Sequence, residues 1–249
     1  MAWDMGFAGK SAVVTGAGGG MGLAIARALL AEGARVAALD VKAKPEGIDD
    51  ALYLQGDIAD EGFVADAVAR AAAAAGRIDH LVNAAGVLWF DRDKSAIDMD
   101  MSDWDRVFAI NLKGAVHATR QAVPRMARAG GGAIVHFATI QCLRGDTKPQ
   151  DAYQASKAGL VAFSKSIAVQ FAGAHIRSNT ICPGPTLTPM QARWDENPQA
   201  QARAASGIPL GRLGTAEDQA NACLFLLSPR ASFITGTELV VDGGRLALP

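Results

Sequence analysis

The sequence predicts an α/β fold in one domain built around a parallel sheet. Short apolar runs alternate with longer helical stretches, a pattern typical of βαβ units. The chain has 249 residues, of which 50% are hydrophobic, and this suits one large core better than two small ones. A glycine-rich turn from Thr15 to Gly22 follows the first apolar run, so a strand should lead directly into a helix there.

Seven apolar runs are predicted strands. They cover residues 11–15, 35–39, 51–55, 79–83, 133–138, 175–181 and 238–241. The stretch between the second and third strands is too short for an ordinary crossover helix and contains Pro45 and Gly47. We therefore expect a loop or a single turn at that connection.

Helices are predicted between most of these strands. The first runs from the glycine turn to about Glu32, where Gly33 is a suitable C-cap. The second begins after Asp60 as its N-cap and ends near Gly76. Two longer helices are expected, one over 102–128 and one that ends near 172, and Thr215 begins the last. The Pro-, Gly- and polar-rich stretch at about 184–212 predicts a mobile substrate loop with a helix inside the single domain 1–249.

Composition and charge exclude several classes of partner. The net charge of −1 gives no electrostatic reason to expect nucleic acid or an anionic membrane. The three cysteines are odd in number and lack metal-ligand spacing, so we expect free thiols in a reducing compartment and no metal site. Without a signal peptide or a run of about 20 apolar residues, a soluble cytoplasmic protein is expected.

The glycine-rich turn is a candidate pyrophosphate site. Gly16, Gly20 and Gly22 form the pattern Thr-Gly-x-x-x-Gly-x-Gly, not the common G-x-G-x-x-G. Glycines let the backbone approach an anion, and a helix N-terminus offers free N–H groups and partial positive charge. Because a plain strand-to-helix turn can look the same, the interpretation also depends on the acid that ends the second strand.

Asp40 ends that second strand and favours NAD over NADP. A carboxylate there can accept hydrogen bonds from both adenosine ribose hydroxyls and would repel a 2′-phosphate. The turn offers Gly19 rather than a basic residue, and the nearest cation after Asp40 is Lys42. A solvated loop acid is the alternative. Further candidate contacts follow the third strand at Asp57-Ile58 and the fourth strand from Asn83 to Gly86.

Tyr153 and Lys157 are candidate proton-transfer residues. They are four residues apart on one predicted helix, so their side chains share a face. Free tyrosine has a pKa of about 10, which is too high for a base at neutral pH. A nearby ammonium and a positively charged nicotinamide would favour the phenolate. Lowering the pKa by roughly three units needs about 4 kcal/mol.

These motifs together resemble the short-chain dehydrogenases/reductases over essentially the whole chain. The matching residues are Thr15–Gly22, Asp57, Asn83–Gly86, Asn111, Tyr153–Lys157, Pro183-Gly184 and the closing Val241-Asp242-Gly243-Gly244. The resemblance implies a single doubly wound Rossmann domain with a seven-stranded parallel sheet. It also implies a homo-oligomer, commonly a tetramer.

The resemblance assigns further roles. It implies that Asn111 supports a water that links Lys157 to solvent, and that Thr188 binds the nicotinamide carboxamide. The family usually has a serine after the fifth strand; here Thr139 stands at that point and keeps the hydroxyl. The cofactor-binding set is Gly16, Gly20, Met21, Gly22, Asp40, Asp57, Ile58, Asn83, Ala84, Gly86, Tyr153, Lys157, Pro183, Gly184, Thr186 and Thr188.

The substrate is less well defined by the sequence. Residues predicted to line its pocket are Trp89, Gln141, Arg144, Met190 and Trp194. The motifs are similar to the family branch that contains 2,3-dihydro-2,3-dihydroxybenzoate dehydrogenase. We expect NAD-linked oxidation of a small polar secondary alcohol, such as a sugar, polyol or cyclic diol. The alternatives are an NADPH-dependent 3-oxoacyl-carrier-protein reductase and a non-catalytic NAD-binding regulator.

Overall fold

The sheet has seven strands, all parallel, in the order β3-β2-β1-β4-β5-β6-β7. The computed structural model describes residues 5–194 and 197–248, without the side chains of residues 193 and 194. The strands are β1 (Ser11–Thr15), β2 (Arg35–Asp40), β3 (Leu52–Gln55), β4 (His80–Asn83), β5 (Gly132–Phe137), β6 (Ile176–Pro183) and β7 (Glu238–Val241). Chain order reverses between β1 and β4, and open α/β sheets bind ligands at such a switch point. The predicted fold class is confirmed.

Helices cover both faces of this sheet. They are α1 (Gly20–Ala31), α2 (Glu61–Ala75), α3 (Met101–Phe108), α4 (Gly114–Arg128), α5 (Asp151–Gln170), α6 (Pro198–Ser206) and α7 (Ala216–Leu227). Side chains alternate along β1, so Val14 packs in the core formed with α1 and α7, whereas Val13 packs in the core formed with α2 and α4. Because helices cover both faces, the central strands β1, β4 and β5 are buried along almost their whole length and are mostly apolar.

Local sequence signals set most helix ends. Asp60 accepts hydrogen bonds from the N–H groups of Gly62 and Phe63 at the start of α2, and Gly76 ends this helix in the left-handed conformation. Thr215 and Asp218 form a capping box at the start of α7. The connection between β2 and β3 has no helix, as predicted.

Two stretches depart from simple helices. The helix predicted over 102–128 is broken by a π-helical turn, Ala109–Lys113, which separates α3 from α4 and carries Asn111. In the 184–212 stretch, the predicted helix is α6, preceded by the 3₁₀ segment Pro189–Trp194. Its mobility stays a prediction.

The structure also bears on a membrane and a metal ion as binding partners. No helix within the described ranges is long and apolar enough to cross a membrane. Those ranges also contain no cluster of three or more side chains suited to holding a metal ion.

Asp79 joins the amino-terminal ends of β1 and β4. Its side chain is 5% exposed and lies just before β4. It accepts hydrogen bonds from the backbone N–H of Ser11 at 3.0 Å and from Arg77 Nε at 2.9 Å. Burial alone would raise the pKa of this carboxyl, but the bonds from Arg77 and Ser11 outweigh burial and lower it.

We expect Asp79→Ala to lower the free energy of unfolding by about 2 kcal/mol, because it removes charge-assisted bonds and leaves buried donors unpaired. The folded pKa is depressed, so this stabilisation is present above the unfolded pKa of about 4 and is lost as the pH falls through the folded value. Urea denaturation at neutral and acid pH measures both effects.

Asp66→Asn is the matched control. Asp66 pairs with Arg70 on the surface of α2, with both side chains more than half exposed, so its loss should change stability by less than about 0.5 kcal/mol. Equal unfolding midpoints for the two variants would contradict the role of Asp79.

Candidate active site

The turn between β1 and α1 requires glycine at several positions. Gly16 and Gly20 have φ of +74° and +53°. A Cβ on Gly22 would lie 2.1 Å from the Gly16 carbonyl oxygen, and one on Gly16 would lie 2.7 Å from the backbone nitrogen of Ala85. The turn therefore packs tightly against its own helix and against the chain leaving β4.

The N-terminus of α1 suits an anion. Its N-cap residue, Gly19, offers no side chain to the first-turn N–H groups, and the first turn has no acidic residue. Both features leave the partial positive charge of the helix end uncompensated by the helix itself. A pyrophosphate fits this position chemically.

A cleft opens from this turn along the carboxyl ends of β1, β2 and β4. It brings together most of the predicted cofactor residues, which are Gly16, Gly20, Met21, Gly22, Asp40, Asp57, Ile58, Ala84, Gly86 and Thr188. Trp89 and Met190, predicted to contact the substrate, line the same cleft. An elongated ligand with several distinct polar groups fits this distribution.

Six predicted cofactor residues are not among those that line the cleft: Asn83, Tyr153, Lys157, Pro183, Gly184 and Thr186. The Asn83 side chain points into the core, where its amide donates to Thr119 Oγ1 at 3.3 Å and lies 3.2 Å from His136 Nδ1. Thr186 donates to the Gly184 carbonyl at 2.9 Å, and Gly184 itself packs against Asp242. Pro183 is buried at the end of β6. These internal contacts show packing and turn formation at the four positions just described, and their roles in cofactor binding stay predictions.

Asp40, at the end of β2, lines the cleft beside the glycine turn. Its two carboxylate oxygens accept hydrogen bonds from the N–H groups of Gly18 at 2.7 Å and Lys42 at 2.9 Å. A Cβ on Gly18 would lie 2.6 Å from the Asp40 carboxyl carbon, so only glycine lets the turn approach this acid. Nearby, Arg106 pairs with Asp57 at 2.5 Å. The carboxylate is fixed, and each oxygen retains a lone pair for a further donor.

Tyr153 and Lys157 lie together on α5, as the i, i+4 spacing predicts. The Lys157 ammonium is 5.9 Å from the centre of the Tyr153 ring and donates to the Phe137 carbonyl at 2.8 Å. The Thr139 hydroxyl, two residues after the end of β5, lies close enough to the Tyr153 phenol to lower its pKa. A Cβ on Gly86 would lie 2.9 Å from Lys157 Nζ, so the lysine borders the cleft.

Asn111 ties three elements at this point. Its amide accepts from the N–H of Val87 at 2.7 Å and donates to the Val87 carbonyl at 3.0 Å and to Ser156 Oγ at 3.1 Å. The π-helical turn points this side chain inward from the middle of a helix. Asn111 therefore anchors the chain after β4 to α5, next to Lys157; its role in supporting a water stays a prediction.

Burial dominates the ionisation of the two central residues. It raises the pKa of Tyr153 well above its usual range, although the Thr139 hydroxyl acts in the opposite direction. It lowers the pKa of Lys157 to about 8. In the chain alone the Lys157 ammonium donates to a carbonyl and burial disfavours the phenolate. The expected lowering of the pKa of the phenol depends on a bound oxidised nicotinamide as well as on Lys157, and it stays a prediction.

The remaining predicted substrate residues are placed less favourably. The Gln141 amide donates to Asp146 at 2.9 Å and to Gln150 at 3.0 Å, which occupies both of its N–H donors. The Arg144 carbonyl accepts from Gln154 at 2.9 Å. The side chain of Trp194 lies outside the described residues.

Sequence reasoning missed Asp93, Gln150 and Ser156. The Asp93 carboxylate accepts hydrogen bonds from the first turn of α5, Gln150 fixes Gln141, and Ser156 joins Asn111 to the Tyr153 carbonyl. Only Ser156 gave a signal, because it lies between Tyr153 and Lys157 on the same helix. The other two act through partners that are distant in sequence or in an irregular loop.

Comparison with known proteins assigns the chain to a family. A family model described as enoyl-(acyl carrier protein) reductase matches residues 16–245. A crystal structure from Burkholderia xenovorans, described as a short-chain dehydrogenase/reductase, superposes with a TM-score of 0.90 at 33% identity over 98% of both chains. The chain belongs to the short-chain dehydrogenase/reductase family. This short-chain dehydrogenase/reductase is also 40% identical to a D-threitol dehydrogenase of Mycolicibacterium smegmatis, over 97% of this chain and 95% of that protein.

A further relative has a different substrate. The 3-oxoacyl-[acyl-carrier-protein] reductase FabG of Thermotoga maritima is 36% identical over 95% of this chain and 97% of that protein. Family membership makes this chain an oxidoreductase of CH–OH groups with a nicotinamide dinucleotide cofactor. The residues present fit such a cofactor, because the glycine cradle and the uncapped α1 terminus suit its pyrophosphate.

We expect Gly22→Ala to weaken NADH binding by at least about tenfold, since the added Cβ forces the Gly16 carbonyl out of the turn. NADH fluorescence titration measures this effect. Gly173→Ala is the control, because a Cβ there meets nothing within 4 Å. Wild-type affinity in the Gly22 variant would contradict the assignment of the turn.

Proposed function

We propose that the enzyme transfers a hydride between NAD and the carbinol carbon of a small polar secondary alcohol, with Tyr153 as general acid and base. The single observation that carries the proposal is the convergence of Thr139, Tyr153 and Lys157 beside the glycine-lined cleft. The cofactor, when bound, supplies the hydride acceptor or donor and, in its oxidised form, a positive ring.

The chain's own residues divide the proton work. In oxidation Tyr153 takes the hydroxyl proton of the substrate, and in reduction it returns the proton to the alkoxide oxygen. Thr139 Oγ1 accepts from the N–H of Gln141 at 3.3 Å, which leaves its O–H free to be donated to the phenolate or the substrate oxygen. Lys157 provides the positive charge that a buried phenolate needs.

Asp40 supports a preference for NAD. Its fixed carboxylate can accept from ribose hydroxyls, and a 2′-phosphate would meet a negative charge held in place by two backbone N–H groups. Lys42, two residues after Asp40, is exposed and lines the same cleft.

A sugar, polyol or cyclic diol remains the proposed substrate class. The likeness to a D-threitol dehydrogenase supports it. The Thr139 hydroxyl beside Tyr153 is a further polar group that a substrate hydroxyl could meet. The substrate class is tested by measuring the reduction of NAD in the presence of a panel of polyols, sugars and hydroxyacids.

We also propose that the enzyme is a homo-oligomer, and light scattering measures its oligomeric state.

The main alternative is an NADPH-dependent ketoreductase, which the likeness to FabG favours. A strong preference for NADP together with reduction of a 3-oxoacyl thioester would select it. A non-catalytic NAD-binding regulator is the other alternative, and it requires that no panel alcohol is turned over.

Tyr153→Phe removes the proton-transfer group without changing the shape of the ring. We expect turnover of the best panel alcohol to fall by about 10²- to 10⁴-fold, with NADH affinity unchanged. Tyr53→Phe is the control, because Tyr53 is the chain's other tyrosine and lies on β3 with its hydroxyl bonded to the carbonyls of Lys42 and Ala43. Undiminished turnover in Tyr153→Phe would remove the proposed mechanism.

Asp40→Ser removes the charge at the adenosine end of the cleft. We expect the ratio of kcat/KM for NAD to that for NADP to fall by at least about tenfold, because the repulsion of a 2′-phosphate disappears. Asp50→Ser, at an exposed position in the same connection, should leave the ratio unchanged. An unaltered ratio in the Asp40 variant would show that another group selects the cofactor.

A further inference from the structure

We propose that Asp93 is a positioning residue that holds the first turn of α5, and with it Tyr153, against the chain that follows β4. The inference deepens the proposed function, on which it rests.

The Asp93 carboxylate caps α5 from a distant part of the sequence. Oδ2 accepts from the Tyr153 N–H at 2.8 Å and Oδ1 from the Ala152 N–H at 3.1 Å, across 60 and 59 residues. The local N-cap residue, Gln150, makes no capping bond with its side chain. Asp93 therefore satisfies donors that the helix cannot satisfy itself.

A reciprocal pair of bonds closes the contact. Asp151, the first residue of α5, accepts from the Ala96 N–H at 2.8 Å, and its own N–H is 3.3 Å from the Lys94 carbonyl. Hydrogen bonds in both directions therefore join the backbone at the start of α5 to residues 93–96. The segment that follows β4 also carries Trp89, which lines the cleft. The bonds at residues 93–96 therefore join the start of α5, and with it Tyr153, to the segment that forms this wall of the cleft.

The cost of burying this carboxylate argues for a specific role. Asp93 is 2% exposed, and burial raises the pKa of its carboxyl. The hydrogen bonds from Tyr153 and Ala152 lower this pKa, whereas the negative charges of Asp151 and Asp103 raise it further. A buried charge is retained more readily at a helix N-terminus, where the helix dipole favours it.

The charge also acts on the phenol. Asp93 and Cys142 both raise the pKa of Tyr153, whereas Thr139 lowers it, and Lys157 lies over the ring. Removing the negative charge at Asp93 should therefore make the phenolate easier to form. This effect separates the proposed role from a merely structural one.

Two variants test the proposal in the full-length enzyme with NAD and the panel alcohol of highest turnover. Asp93→Ala removes both hydrogen bonds to the first turn of α5. We expect kcat to fall by about tenfold or more, because the Tyr153 phenol is no longer held in position. NADH affinity should be unchanged. Asp93→Asn keeps the shape and one acceptor; we expect a smaller loss, and the rising limb of the kcat–pH profile should move toward lower pH.

Asp91→Asn is the matched control on the same chain, at an exposed position, and should behave as wild type. Tyrosinate absorbance of the NAD-saturated Tyr53→Phe enzyme, in which Tyr153 is the only tyrosine, should show the same acid shift when Asp93→Asn is added. Should Asp93→Ala fail to fold, these Asp93→Asn profiles decide.

Wild-type kcat and an unmoved pH profile in Asp93→Asn would overturn the inference. Its failure is distinguishable from failure of the proposed function. If Tyr153→Phe is inactive while Asp93→Asn is indistinguishable from wild type, only the role of Asp93 is lost. If Tyr153→Phe is fully active, the proposed proton transfer is lost as well.

Discussion

A buried ammonium group organises the site. Lys157 lies inside the protein, donates to the last carbonyl of β5 at 2.8 Å and borders Gly86 so closely that a side chain there would meet it. This placement arises because α5 packs along β5 and β6, which brings Lys157 to the carboxyl end of β5. The π-helical turn contributes Asn111 beside the same glycine, and the distal cap from Asp93 holds the first turn of α5, on which Tyr153 lies.

Burial both enables and opposes the chemistry. In a site shielded from water, charges interact strongly, so one cation can stabilise a phenolate that water would not. The same burial disfavours the charged forms of Tyr153 and Lys157, and it lowers the pKa of the adjacent His136 to about 3, which keeps that imidazole neutral. Thr139 offsets part of the cost at Tyr153, and the Lys157 ammonium lies 5.9 Å from the centre of the phenol ring.

The fold was predictable because its signals are local. Apolar runs bounded by glycine and aspartate located all seven strands to within about two residues, and Asp60 and Thr215 marked helix starts. The i, i+4 spacing likewise placed Tyr153 beside Lys157. Features that depend on tertiary contacts were missed: the inward side chain of Asn83, the π-helical turn at Asn111 and the cap from Asp93. Sequence also does not show how deeply Tyr153 is buried, and in the chain alone that burial raises the pKa of the phenol.

The most direct test of this account is a crystal structure of the enzyme with NAD and a substrate alcohol. We predict that the alcohol oxygen lies within about 3 Å of both the Tyr153 phenol and the Thr139 hydroxyl, with the Asp40 carboxylate on the adenosine ribose. A phenol turned away from the nicotinamide, with the alcohol bound elsewhere, would contradict the account.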